Sequence, residues 1–138
     1  MKHLILWTLG VATLLMAACD GTDKVGELAT QVIAIHDEVM PKMGEIKSLK
    51  QELSSRIESL DAAPEPDTVR IAEYRNAMRA LVEGEKAMWD WMHAYKTPEQ
   101  TTPDAEALQY LEAEMVKVGE VKEKILTSIE QAKGLLGQ

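Results

Sequence analysis

Apolar residues recur along most of this chain at alternating steps of three and four, which is the period of a helix with one buried face. In the first such stretch they stand at positions 25, 28, 32, 35, 39, 46, 49, 53, 57 and 60. This pattern predicts a first helix over about residues 24–60. Pro41 lies inside it, and because proline removes a backbone donor and clashes with the carbonyl of Asp37, we expect a kink around residues 37–41.

Two further helices follow the same pattern. Residues 61–67 contain two prolines and predict a turn, with Asp67 as the next N-cap. The second helix carries its seam at Ile71, Tyr74, Met78, Leu81, Glu85, Met88, Met92 and Tyr95. Thr102, Pro103 and Asp104 predict the start of a third helix, which should run to about Lys133 with Gly134 as its C-cap. Its seam residues are Leu108, Leu111, Met115, Val118, Ile125, Ile129 and Ala132.

These helices, each with one apolar stripe and short connectors, favour an all-α fold. The economical arrangement is an up-down-up three-helix antiparallel bundle over residues 24–138, in which the three seams meet. An extended coiled coil with another chain is the alternative, because sustained heptads allow it.

The N-terminal residues predict export and a lipid anchor. Lys2 and His3 precede an apolar run at residues 4–15 that is too short to span a bilayer comfortably, which is typical of a signal peptide over residues 1–18. Residues 15–19, Leu-Met-Ala-Ala-Cys, resemble the lipobox of bacterial lipoproteins, so Cys19 would become the lipid-modified N-terminus. The alternative is that Cys19 is a small apolar residue beside an ordinary cleavage site.

A tether is predicted over residues 19–23, with Asp23 as a helix cap. The expected location is the bacterial cell envelope, on the inner or the outer membrane, with the helices facing the periplasm or the surface. Asp20 resembles the inner-membrane retention signal of enterobacterial lipoproteins, but other phyla do not obey that rule, so the sequence leaves the leaflet open.

The acidic charge narrows the range of partners. The chain carries a formal charge of −8, and removal of residues 1–18 takes away one lysine and no acidic residue. The mature chain is therefore strongly negative and would repel phosphate backbones and anionic lipid heads, which argues against nucleic-acid binding.

A layer rich in histidine, methionine and tryptophan is the candidate site. A hairpin centred near residue 64 places His36 level with Trp91, and a second one centred near residue 99 brings Tyr110 and Glu114 to the same layer. Packing explains this composition, since methionine fills gaps and tryptophan buries a large area. A copper site is the alternative because thioethers and imidazoles suit monovalent copper. Its ligands would be His36, Met40, Met43, Met92 and His93.

Lys42 and Glu85 are the other candidate pair. Both interrupt apolar seams, and the first hairpin sets them opposite each other, so we expect a structural ion pair that fixes helix register. Two side chains that reach solvent at the seam edge are the alternative.

Two segments, His36 to Gly44 and Trp91 to Tyr95, together with the lipobox, carry a family resemblance. The chain resembles small helical lipoproteins of the Bacteroidetes that bear the label "viral A-type inclusion protein". The resemblance implies an envelope protein and brings no catalytic residue.

We therefore expect a lipid-anchored module that binds or scaffolds another protein, docked through acidic helix faces or an exposed side of Trp91. A copper-binding lipoprotein is the alternative. We do not expect an enzyme, because the serines lie on helices without a nearby histidine.

Overall fold

The computed structural model describes residues 20–138, which form four α-helices. These are α1 (Asp20–Val39), α2 (Lys42–Asp61), α3 (Thr68–Ala94) and α4 (Asp104–Leu136). No strand occurs in this part of the chain, so the predicted all-α class is confirmed. The predicted signal peptide and the lipidation of Cys19 lie outside the described residues.

The predicted kink at Pro41 is present as a break between α1 and α2. The amide of Met40 still donates to the carbonyl of His36 (3.0 Å), and the amide of Met43 donates to the carbonyl of Met40 (3.1 Å). A single tight turn therefore joins the two helices. This is the result expected where proline removes one donor from a longer helical pattern.

The starts of α3 and α4 agree with the sequence, whereas the start of α1 and the end of α4 differ from it. Asp67 caps α3 as predicted, because its Oδ1 accepts from the amide of Arg70 at 2.9 Å. α1 begins at Asp20, so the residues expected to form a tether are helical from that point. α4 continues past Gly134 to Leu136 and is capped by Gly137, which has a φ of 76°. The extra turn of α4 lets Leu135 and Leu136 pack against the core.

The helices pack against one another around α4, which contacts α1, α2 and α3, while α2 also contacts α3. Fully buried side chains from all four helices form the core, among them Val32, Ile46, Leu53, Leu81, Met88, Leu111 and Ile125. Within residues 20–138 no helix is both long and apolar enough to cross a membrane.

The direction of each helix follows from its contacts. Trp91 of α3 contacts Glu114 of α4, while Gly84 lies against Ile125, so residue numbers on the two helices change in opposite senses. α3 and α4 are therefore antiparallel. Lys122 of α4 pairs with Glu38 of α1, and Lys133 of α4 pairs with Glu45 of α2. Residue numbers therefore rise in the same direction along α4 and along α1 followed by α2.

The buried face of α4 lies to one side of the predicted seam. Ala107, Glu114 and Val121 are buried, whereas Leu108 and Met115 are only half-buried. Both sets fit the helical period, so the pattern alone does not choose between them. The choice follows from the positions of the helices that α4 contacts, and it buries a carboxylate that the sequence did not place in the seam.

Candidate functional site

Four rings form a continuous aromatic layer near the end of α3. The indole of Trp91, only 6% exposed, stacks on Tyr95 with ring centroids 5.0 Å apart, and Tyr95 stacks on Tyr110 at 6.3 Å. The imidazole of His36 also lies close to Trp91, with ring centroids 5.8 Å apart. The prediction that His36 and Trp91 share one level is thus confirmed. We call these four residues the aromatic layer.

A buried carboxylate holds the aromatic layer to α4. Glu114 is 3% exposed, and its Oε2 accepts a hydrogen bond of 2.9 Å from Nε1 of Trp91. Its Oε1 accepts from Nζ of Lys117 at 2.7 Å. Each oxygen has a donor, as a buried carboxylate requires. The same contact, a hydrogen bond to Glu114, raises the pKa of the Lys117 ammonium above its ordinary value.

The two tyrosines of the layer differ in their hydrogen bonding. The hydroxyl of Tyr110 accepts from the amide of Lys96 at 2.8 Å, which fixes the chain just after α3. The hydroxyl of Tyr95 is buried and lacks a hydrogen-bond partner within the described residues. Burial raises the pKa of Tyr95 above its ordinary value, and the nearby Thr97 acts in the opposite direction. Folding therefore removes the Tyr95 hydroxyl from water without giving it a well-formed hydrogen bond.

The two histidines proposed as copper ligands do not meet. His36 of α1 lies against one side of α3, and His93 lies on another side of α3. His36 contacts Trp91, which is buried, whereas His93 is exposed, and positions two apart on a helix point in nearly opposite directions. Nδ1 of His36 donates to Oδ1 of Asp37 at 2.9 Å, and Nδ1 of His93 donates to the carbonyl of Trp89 at 2.6 Å. Each imidazole is thus left with only Nε2 for a metal, and the two do not share a face.

The methionines proposed as copper ligands pack against the core. Met40, Met43 and Met92 are half-buried and contact the central hydrophobic cluster. Among the described residues no group of three or more histidine, cysteine or acidic side chains could hold a metal ion. The contacts of the methionines agree with the packing interpretation of the layer, and the copper site stays a prediction.

The predicted ion pair between Lys42 and Glu85 is wrong. Glu85 pairs with Lys50 of α2, while Nζ of Lys42 lies 3.3 Å from Glu45 on its own helix. Helical side chains lean toward the N-terminus of their own helix. Two side chains at the same level on antiparallel helices therefore lean away from each other. Glu85 is instead reached by Lys50, which lies two turns after Lys42 on α2.

The exposed tryptophan is Trp89, not Trp91 as the sequence led us to expect. Trp89 is 45% exposed and Val82, seven residues earlier on α3, is equally exposed. They belong to a row of exposed residues at alternating steps of three and four, which therefore lie on one side of the helix. We call this row the α3 strip; it consists of Arg75, Arg79, Val82, Lys86, Trp89 and His93.

The α3 strip is basic although the chain is acidic. Lys86 pairs with Asp90 of the same helix. Arg75 and Arg79 form no ion pair within the part of the chain that the structure describes. The sequence pattern did not indicate this strip, because the apolar period marks only the buried side of a helix. Its spacing was visible in the sequence, but its exposure depends on which side of α3 the other helices cover.

Comparison of the chain with protein-family models, curated proteins and solved structures gives no match. The resemblance to small envelope lipoproteins therefore stays a prediction.

Proposed function

We propose that this chain is a lipid-anchored protein of the bacterial cell envelope that binds another protein through the α3 strip. In this proposal Cys19 carries the lipid, and the helices stand on the membrane as a binding or scaffolding module. They form an up-down-up three-helix bundle in which α1 and α2 together make up the first of the three helices. Two or more acyl chains would hold it firmly, since each buried CH₂ contributes about 0.8 kcal/mol.

The α3 strip is the observation that supports protein binding. Trp89 and Val82 expose apolar surface beside two arginines that have no ion-pair partner in the described residues. Tryptophan and arginine are the residue types most enriched among the energetic centres of protein interfaces. Their regular spacing along one helix fits a partner that presents a helix of its own.

The aromatic layer supports this function indirectly. Trp91 and Glu114 join α3 to α4 through a buried hydrogen bond, so α3 is held at a fixed position beside its neighbour. A docking surface on such a helix loses little conformational freedom on binding. We therefore assign the layer a structural role and the strip a binding role.

Anchoring is tested in a bacterium that expresses the full chain. The protein should appear in the membrane fraction, and Cys19→Ala should release it. A Cys19→Ala protein that remains in the membrane fraction after salt washing would refute lipid anchoring at this residue.

Binding is tested by photo-crosslinking in the same cells. Trp89 is replaced by p-benzoylphenylalanine, which keeps an apolar aromatic side chain at that position. The matched control carries the same residue at Val69, which is 71% exposed on α3 but lies outside the strip. A protein adduct at position 89 and none at position 69 is expected. The absence of an adduct at position 89 would overturn the binding proposal.

A further inference from the structure

A second exposed row runs along the outer side of α4. Its residues are exposed and follow one another at steps of three and four; we call them the α4 strip, and they are Glu112, Val116, Glu120, Glu123, Thr127 and Glu130. Val116 is 62% exposed. The four glutamates form no ion pair within the described part of the chain. This strip is thus acidic around a single exposed apolar side chain.

The α3 strip and the α4 strip have the same length. One runs from Arg75 to His93 and the other from Glu112 to Glu130, so each covers about 27 Å at the helical rise of ~1.5 Å per residue. One strip is basic and the other is acidic. The two strips therefore have equal length and opposite charge.

An antiparallel alignment matches the two strips at most positions, with Val82 opposite Glu123 as the exception. It sets the exposed indole of Trp89 opposite Val116 and places Arg79 beside Thr127, between two glutamates. The charged positions then match as Arg75 with Glu130, Lys86 with Glu120 and His93 with Glu112. A parallel alignment would instead place Arg79 opposite Val116 and Trp89 opposite Thr127, which separates the apolar side chains.

We infer that the α3 strip binds the α4 strip of a second copy of this chain. The inference rests on the proposed function, in which the α3 strip is the protein-binding surface, and it names the partner. In this inference the copies contact head to tail, so the contact is heterologous and each copy of a pair keeps one free strip. Further copies can therefore add to form a row.

The geometry of a single copy suits such a row on a membrane. α3 and α4 are antiparallel within one chain, with Trp91 level with Glu114. If α3 also lies antiparallel to α4 of the next copy, with Trp89 level with Val116, both copies point in the same direction and stand at the same height. Their N-termini then reach the same membrane surface, which the parallel alignment would prevent. Anchoring also raises the effective concentration of one copy near another.

The first test identifies the adduct formed by p-benzoylphenylalanine at position 89 of the full chain in cells. An adduct of two copies, with the crosslinked peptide of the second copy containing Val116, is expected. An adduct with a different protein would overturn the inference and leave the proposed function standing. No adduct would overturn both, so the two failures are distinguishable.

Charge reversal supplies the second test, with the adduct yield as the readout. Arg75→Glu with Arg79→Glu should lower the yield about tenfold, because attraction becomes repulsion across the contact. Combining this change with Glu123→Arg and Glu130→Arg restores both complementarity and net charge. The combined chain should recover to within about twofold of the original yield.

The matched control reverses Lys47 and Lys96, which are exposed and lie on neither strip. Lys47→Glu with Lys96→Glu changes the net charge as much as the arginine reversal does. The adduct yield should change less than about twofold if position, and not total charge, governs the contact. An equal loss in this control, or no recovery in the combined chain, would overturn the pairing of the two strips.

Discussion

The hydrogen bond between Trp91 and Glu114 allows a quantitative test of what holds α3 to α4. Trp91→Phe removes the donor and leaves Oε2 of a carboxylate that is 3% exposed without its 2.9 Å partner. Glu114→Met keeps an unbranched side chain of similar size but leaves the indole N–H unpaired. Hydrogen bonds to charged groups contribute about 1.5–3 kcal/mol, and an orphaned buried donor costs about 1–3 kcal/mol.

A double-mutant cycle separates this bond from the other effects of the two substitutions. Trp91→Phe loses buried ring area whether or not Glu114 is present, so this loss of stability cancels in the cycle. Glu114→Met removes the hydrogen bond from Lys117 whether or not the indole is present, so this effect cancels as well. The coupling free energy should therefore be about 1.5–3 kcal/mol, with the double variant more stable than the sum of the single losses implies.

The assay is urea unfolding at pH 7, followed by far-ultraviolet circular dichroism so that loss of a tryptophan does not remove the signal. The control cycle pairs Trp89→Phe with Glu114→Met, because Trp89 is exposed and on another side of α3. That cycle should be additive within about 0.5 kcal/mol. A coupling below about 0.5 kcal/mol for Trp91 and Glu114 would refute the view that their bond fixes α3 against α4.

Three further predictions concern other contacts. Tyr95→Phe should raise the free energy of unfolding by up to about 1 kcal/mol at pH 7, because it removes a buried hydroxyl without a partner. Burial raises the pKa of Tyr95, so its ionisation leaves the folded state undisturbed below the unfolded value of about 10 and destabilises it at higher pH. Tyr95→Phe should thus lessen alkaline destabilisation in unfolding measured at several pH values; an unchanged pH dependence would contradict this. The hydrogen bond from Lys133 lowers the pKa of Glu45, so this pair stabilises above the unfolded value of about 4.3 and loses that effect as pH falls. Lys133→Met should cost less than about 1 kcal/mol at pH 7 in urea unfolding, and the difference should shrink in acid; a constant difference would argue against the pair. Gly84→Ala should be tolerated, since the new Cβ would lie 3.4 Å from Cα of Ile125, while Gly84→Leu should lower stability by about 1–3 kcal/mol through overpacking. Equal thermal midpoints for the two Gly84 variants would show that α4 does not pack closely there.

Local chemistry let the sequence predict several features of the fold. The apolar period predicted helices, Pro41 predicted the break between α1 and α2, and Asp67 predicted a cap that the structure confirms. These features depend on backbone donors and on side chains a few residues apart, so the local sequence is enough to determine them. The level of His36 with Trp91 followed from helix lengths and the position of the turn.

Only the tertiary structure decided which side of each helix is covered. The period of α4 fits a seam at Met115 as well as one at Glu114, and the neighbouring helices select Glu114. The packing of the helices also buries Trp91, exposes Trp89 and pairs Glu85 with Lys50 and not with Lys42. Helical spacing places residues on a common face, but the face turned to solvent depends on the packing of the other helices, so the two strips could be recognised as surfaces only after folding.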